Sequence, residues 1–305
     1  MNRSLIASVL VTVMAVAGCG GGDDDETPPA SGGNAPGTTY PAGSPEALAF
    51  TTTNSERDHC GFGTLAQSAA LDRSATAHMS YMVLNNLVAH TEEPGKPGFT
   101  GVNPANRAVV AGYPSSAGIG EVISFPLFAP GDSADAVRRL FAAPYHGQLM
   151  IDSARDVGID SQPFQGVVGL TMEFGFPFIA RPPAVTSVRT YPCEGTTGVL
   201  AFNRNESPSP LPSQQNPSWG QPIIVRGPDD LRLGMARITG PGGTVALQVI
   251  YGDGQTPDPE QQFTRGWATV LPVPLATNTQ YTVNLNWTAG GQAGSSSFRF
   301  TTGSQ

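Results

Sequence analysis

The sequence carries little charge and little cysteine. Charged residues make up 13% of the 305 residues, with a net charge of −8. That leaves no basic face for nucleic acid and none for an anionic lipid surface. With four histidines (His59, His78, His90 and His146), any histidine-based chemistry is confined to a few places. Ser80 and Ser124 lack a Gly-x-Ser-x-Gly setting, so a serine hydrolase has no support. No glycine-rich loop suited to phosphate follows a strand-like run. Beyond the first residues, no stretch is apolar over the roughly 20 residues that span a bilayer. What is plentiful is turn-forming sequence: 37 Gly and 28 Pro favour loops over long helices.

The first residues read as an address. Met1-Asn2-Arg3 precedes an apolar run from Leu5 to Ala17, too short for a comfortable membrane helix. It ends in Val16-Ala17-Gly18-Cys19, which resembles the lipobox of bacterial lipoproteins. The resemblance implies a signal peptide over residues 1–19, diacylglycerol on Cys19 and a membrane as partner through that anchor. Gly20, rather than Asp, then implies outer-membrane sorting in a two-membrane host. Residues 20–45 are acidic at first and then rich in Pro, Ser, Gly and Thr, a flexible tether. Cys60 and Cys193 remain as an even pair in an oxidising setting. A disulfide between them is expected, worth on the order of 4 kcal/mol in the chain-entropy picture. Two unpaired buried thiols are the alternative.

Ser207 to Pro217 is a Pro/Ser/Gln run with little to bury, and reads as a linker between residues 46–206 and 218–305. In the first block, Leu65, Ala69, Met79, Met82, Val83, Leu84 and Leu87 lie on one helical stripe, predicting a helix from Thr64 to Ala89. Asp132 to Met150 is predicted as a second helix. Ile119–Phe125, Val157–Asp160, Val167–Phe174 and Val185–Tyr191 have strand length, which makes the block α+β. In the second block, Pro222–Arg226, Thr244–Tyr251, Gln280–Trp287 and Ser297–Thr302 alternate, with glycine turns between them. They predict an all-β sandwich. Its last strands, from Pro272 to Thr302, resemble bacterial immunoglobulin-like domains.

Seven short motifs in the first block fall in the order of another family. They are Asn54-Ser-Glu-Arg57 with Gly61 and Leu65, Ala77-His-Met-Ser-Tyr-Met82, His90, Arg107 with Gly112-Tyr113, Gly120-Glu-Val-Ile123, Ala143-Pro-Tyr-His146 and Val157-Gly-Ile159. Together they resemble the CAP superfamily of cysteine-rich secretory, antigen 5 and pathogenesis-related proteins. That resemblance implies a CAP-like α/β/α sandwich ahead of the immunoglobulin-like one. It also implies a groove lined by two His and two Glu, some members holding a divalent metal such as zinc. His90, Glu121 and His146 fall on three of those positions, a ligand set suited to a divalent ion. The second Glu is missing: Asp135, the nearest acid, sits about three helical turns from His146. Val122 replaces the family's Asn, and Gly147 replaces a common Arg. His78 is expected as a half-buried packing residue and His59 as exposed. The acids of Gly252–Asp258 read as a hairpin turn rather than a calcium loop, because Pro257 and the absent closing Glu break that pattern.

These readings point to a surface or envelope protein that binds an unidentified ligand in the groove, more a binder than an enzyme. A metal-dependent hydrolase and a lipid-binding protein are the competing readings, the latter carried by the resemblance alone. The anchor gives the most direct test. Replacing Cys19 by Ser should release the protein from the membrane fraction or leave it unprocessed; failure of labelled fatty acid to join the wild-type chain would refute the assignment.

Overall fold

The structure, a computed structural model, describes residues 37–125, 133–176, 185–204 and 206–305. The signal peptide, Cys19 and residues 20–36 of the tether lie outside the described residues. The chain runs α1 (Pro45–His59), β1 (Ala66–Gln67), α2 (Ala69–Asn85), α3 (Pro104–Val110), β2 (Gly118–Ser124), α4 (Ser133–Phe141), α5 (Pro144–Ile151), β3 (Asp156–Phe164) and β4 (Val167–Phe176). There follow β5 (Arg189–Tyr191), β6 (Thr196–Val199), β7 (Ile223–Arg226), β8 (Arg232–Gly240), β9 (Gly243–Thr244), β10 (Leu247–Tyr251), β11 (Trp267–Pro272), β12 (Gln280–Ala289) and β13 (Gln292–Thr302). This is an α+β arrangement with several sheets. Among the described residues, no helix is long and apolar enough to cross a membrane.

The first sheet has the order β1-β3-β4-β2, with β1 parallel to β3 and the other pairs antiparallel. Alternation sends its residues to two faces. Val122, Val157, Ile159, Leu170, Met172 and Phe174 pack with Phe50 of α1 and with Val137, Phe141 and Met150 of α4 and α5. On the other face, Ile119 packs with Leu71 of α2 and Ala108 of α3, and Ile123 with Met79 and Met82. Gly158 lets α2 press onto β3, since a Cβ there would lie 2.1 Å from the carbonyl carbon of Leu71.

Helix α2 begins later than its apolar stripe suggests. Residues 66–67 pair with β3, so Ser68 becomes the cap, its hydroxyl accepting from Leu71 N–H. The single helix expected from Asp132 to Met150 is two helices, because Pro144 cannot continue the bonding of α4. Asp132 itself lies outside the described residues. Asn54 and Arg57 of α1 are both buried and serve the framework. The Asn54 amide pairs with both backbone groups of Leu65. Arg57 donates to five carbonyls, those of Phe62, Gly63, Met150, Asp152 and Ala154. Burial brings the Arg57 guanidinium down to about 10.

Two further sheets, β10-β11-β7-β5 and β6-β13-β12-β8-β9, enclose a second core that includes Ile223, Val225, Ile238, Val270, Val283, Leu285 and Phe300. Their alternation holds in β12, where Tyr281, Val283 and Leu285 are buried and Asn284 and Asn286 exposed. It fails in β7, where Ile223, Ile224 and Val225 are all buried. The reason is that β7 is covered on both sides. Ile223 and Val225 join the second core, while Ile224 joins the first, beside Phe141 and Met150.

Two strands that precede the Pro/Ser run also belong to these sheets: β5 pairs with β7, and β6 pairs in parallel with β13. Most of the run is exposed, but it is anchored at Pro210 and Leu211. Leu211 is buried with Trp219 and Leu271, and Tyr251 donates to the Pro210 carbonyl at 2.7 Å. A disulfide joins Cys60, at the end of α1, to Cys193 between β5 and β6, with a Cα–Cα distance of 5.5 Å. The carbonyls of Phe141 and Ala142, left over where α4 ends, accept from Gln221 and from the Trp219 indole. Gly147 of α5 explains why arginine is absent there. A Cβ would come within 2.7 Å of Ile224 Cδ1 and 2.8 Å of the Phe141 carbonyl oxygen.

Candidate functional site

Strand β2 is an edge of the first sheet, and Glu121 points from it toward α2 and α3. Its neighbour Gly120 faces the other way, where a Cβ would meet Leu149 of α5 at 2.4 Å. The bare glycine lets α5 close on the strand, and His146 lies one helical turn before Leu149. From the far side, the loop after α2 brings His90. The two imidazoles meet at the sheet edge with ring centroids 6.4 Å apart and planes at 35°. His90 Nδ1 donates to Glu121 Oε1 at 2.8 Å. The three residues read from the sequence are therefore brought together.

Beneath them lies a buried charge cluster. Arg107 of α3 donates to Glu121 Oε2 at 2.6 Å and to the His90 carbonyl at 3.0 Å. Its Nε is 3.8 Å from both Glu92 Oε1 and Glu173 Oε1. Glu92 accepts from the Thr100 and Gly101 N–H groups and from His78 Nδ1 at 2.9 Å. His78 is fully buried, not half-buried, and its Nε2 lies 2.8 Å from the Ala89 carbonyl and 3.7 Å from Glu121 Oε1. Both its ring nitrogens face oxygen acceptors. Glu173 stands directly opposite Glu121 across β2 and β4 and accepts from Ser74 at 3.0 Å.

Two buried carboxylates placed in register disfavour each other's ionisation. Burial, and then the Glu121 charge, push Glu173 up to about 8, against the pull of Ser74 and Arg107. Burial pushes Glu121 up as well, but the hydrogen bond from His90 and the Arg107 guanidinium outweigh it and hold Glu121 below the usual carboxylate range. Glu121, buried beside the Arg107 guanidinium, avoids most of the penalty of an isolated ion.

The acid beside His146 is one that sequence reasoning did not find. Glu206 Oε1 lies 2.5 Å from His146 Nδ1, and its Oε2 accepts from the Tyr145 N–H at 3.1 Å. Asp135 instead bonds Arg138 and Gln305. Next door, Tyr145 donates its hydroxyl to Asp258 at 2.7 Å. Asp258 and Asp253 both accept from backbone N–H groups of their own loop, as expected of turns. His59 is exposed, with Nε2 donating to the Glu194 carbonyl at 3.0 Å.

The side chain of His90 is 47% exposed and that of His146 17%. Among the described residues, no protein group hydrogen-bonds either Nε2. The trio His90, Glu121 and His146 does not offer three free donors to a metal, because both Glu121 oxygens are held, one by His90 and one by Arg107. Among the described residues no group of three or more His, Cys, Asp or Glu is arranged to hold a metal ion.

No protein-family model matches the chain. No curated protein matches it either. Among solved structures, it is similar to an outer surface protein from Borrelia burgdorferi, at 14% identity and a TM-score of 0.37, over 44% of this chain and 93% of that one. It is also similar to an extracellular protein containing an SCP domain from Bacillus anthracis str. Ames, at 18% identity and a TM-score of 0.36, over 44% of this chain and 40% of that one. Likenesses this loose leave activity and ligand to be read from the site itself.

The raised Glu173 has a consequence for stability. It binds its proton more tightly in the folded than in the unfolded chain. Its contribution is therefore complete below about pH 4.5 and is lost as pH rises through about 8. Glu173→Gln should fold, and across that window its stability to urea should fall less with pH than the wild type's. Equal slopes for the two proteins would contradict the assignment.

Proposed function

We propose that this chain is an exported, lipid-anchored protein of the cell envelope or surface. Its CAP-like block binds a ligand at the His90–His146 edge without turning it over, and an immunoglobulin-like sandwich follows that block. The observation that carries this reading is the commitment of every acid at the edge. Glu121 is divided between His90 and Arg107, and Glu206 between His146 and the Tyr145 N–H. An oriented imidazole becomes a catalytic base when a nucleophile stands at its other nitrogen. Among the described residues no Ser, Thr or Cys hydrogen-bonds Nε2 of either ring. What is left is a pair of fixed polar ends, suited to recognition.

The motifs from Asn54 to Ile159 support the CAP-like assignment, and the lipobox supports the anchor and a position at the outer membrane. The sandwich is more than a spacer in this reading, since its strands cover α5 and hold the helix that carries His146. The hydrolase alternative calls for a free carboxylate or three open donors, and the geometry favours neither.

Purified protein, prepared without chelator and assayed on panels of peptides and esters, should show no turnover that depends on His146. Turnover abolished by His146→Ala would overturn the reading. So would stoichiometric zinc whose removal abolishes turnover.

A further inference from the structure

The segment that carries Glu206 is built to hold it in place. Asn203 and Trp219 exchange both backbone hydrogen bonds, at 2.8 and 2.9 Å, and the Asn203 amide donates to the Arg139 carbonyl at 3.3 Å. Four residues beyond Glu206, Pro210 accepts from Tyr251, and Leu211 is buried. The stretch is thus pinned on both sides of Glu206, and its carboxylate is fully buried against α5. Helix α5 needs an outside acceptor, because its N-cap is Ala143, which has no side-chain oxygen. Glu206 accepts from Tyr145 N–H in that first turn, where the helix dipole favours a negative charge.

The same carboxylate reaches His146 with its other oxygen. We propose that Glu206 is a positioning residue of the binding edge, delivered from outside the CAP-like motifs. In the neutral ring it fixes the proton of His146 on Nδ1 and leaves Nε2 as a hydrogen-bond acceptor. The reason is donor counting: a carboxylate only accepts, so the bond requires the proton on the histidine. Glu121 does the same for His90 Nδ1. The edge then presents two imidazole acceptors to its occupant, a hydrogen-bond donor such as an ammonium or guanidinium group. This assignment rests on the binding reading above, but its test needs no ligand.

The test is nitrogen-15 NMR of the full chain labelled at histidine, which reports the tautomer of each neutral ring. In the wild type, His146 should carry its proton on Nδ1. Glu206→Ala should shift its tautomer ratio toward Nε2–H by at least about tenfold, the effect of losing a hydrogen bond to a charged group, while His90 stays unchanged. A mere helix cap would alter stability without moving this ratio. A wild-type His146 protonated on Nε2, or a folded Glu206→Ala protein with the ratio unchanged, would overturn the proposal. Should Glu206→Ala not fold, Glu206→Gln keeps an acceptor for Tyr145. The downfield Nδ1 proton of His146 should then move upfield, and an unmoved resonance would overturn the proposal equally. Either result leaves the binding reading to be judged by its own turnover assay.

Discussion

The ion pair between Arg107 and Glu121 is the interaction on which the rest of the site depends. It is buried on both sides, and Arg107 is within reach of two more carboxylates. A guanidinium placed there must be matched by charge, and a carboxylate on β2 must be matched in turn. Glu92 and His78 bond each other beneath the pair, and burial with the Glu121 charge pushes Glu173 up. His90 is the one member that reaches the surface. Its ring direction follows from Glu121, and the position of its backbone follows from Arg107, which holds the His90 carbonyl.

The second imidazole is placed by different means. Packing sets the position of α5: Gly120 admits Leu149 on one side, and Gly147 admits Ile224 on the other. Trp219, Gln221 and Glu206 then bond the ends of α4 and α5 from later in the chain. The Cys60–Cys193 bond ties α1 to the same later segment. The His90–His146 edge is therefore held jointly by the helical layer and by the strands that follow it.

Much of this was legible in the sequence, and the gaps have physical causes. The helical stripe from Leu65 to Leu87 and the alternation in Gln280–Trp287 are local patterns, and both elements form. The pairing of Cys60 with Cys193 followed from count and setting. His90, Glu121 and His146 were found through ordered motifs. Glu206 left no trace, because it lies 60 residues from His146 in an irregular segment with no periodicity. Glu173 did leave one: it is the sole charge within the apolar run from Val167 to Phe176. A lone acid at an inward strand position implies a buried partner. The Pro/Ser run is mostly exposed, as its composition suggests, and what composition does not show is that Pro210 and Leu211 pin it. In β7, alternation was expected of a strand that is covered on both faces.

The central claim is that a buried polar cluster, organised by the Arg107–Glu121 ion pair, builds the His90 side of the edge. Urea unfolding of the single variants Arg107→Met and Glu121→Leu beside the double variant Arg107→Met/Glu121→Leu tests it most directly. The Arg107→Met change leaves Glu121 buried without its cation and should cost about 3–5 kcal/mol, and the double change should recover a substantial part of that loss. An Arg107→Met variant within about 1 kcal/mol of the wild type, or a double variant destabilised by the full sum of its two single changes, would contradict the account.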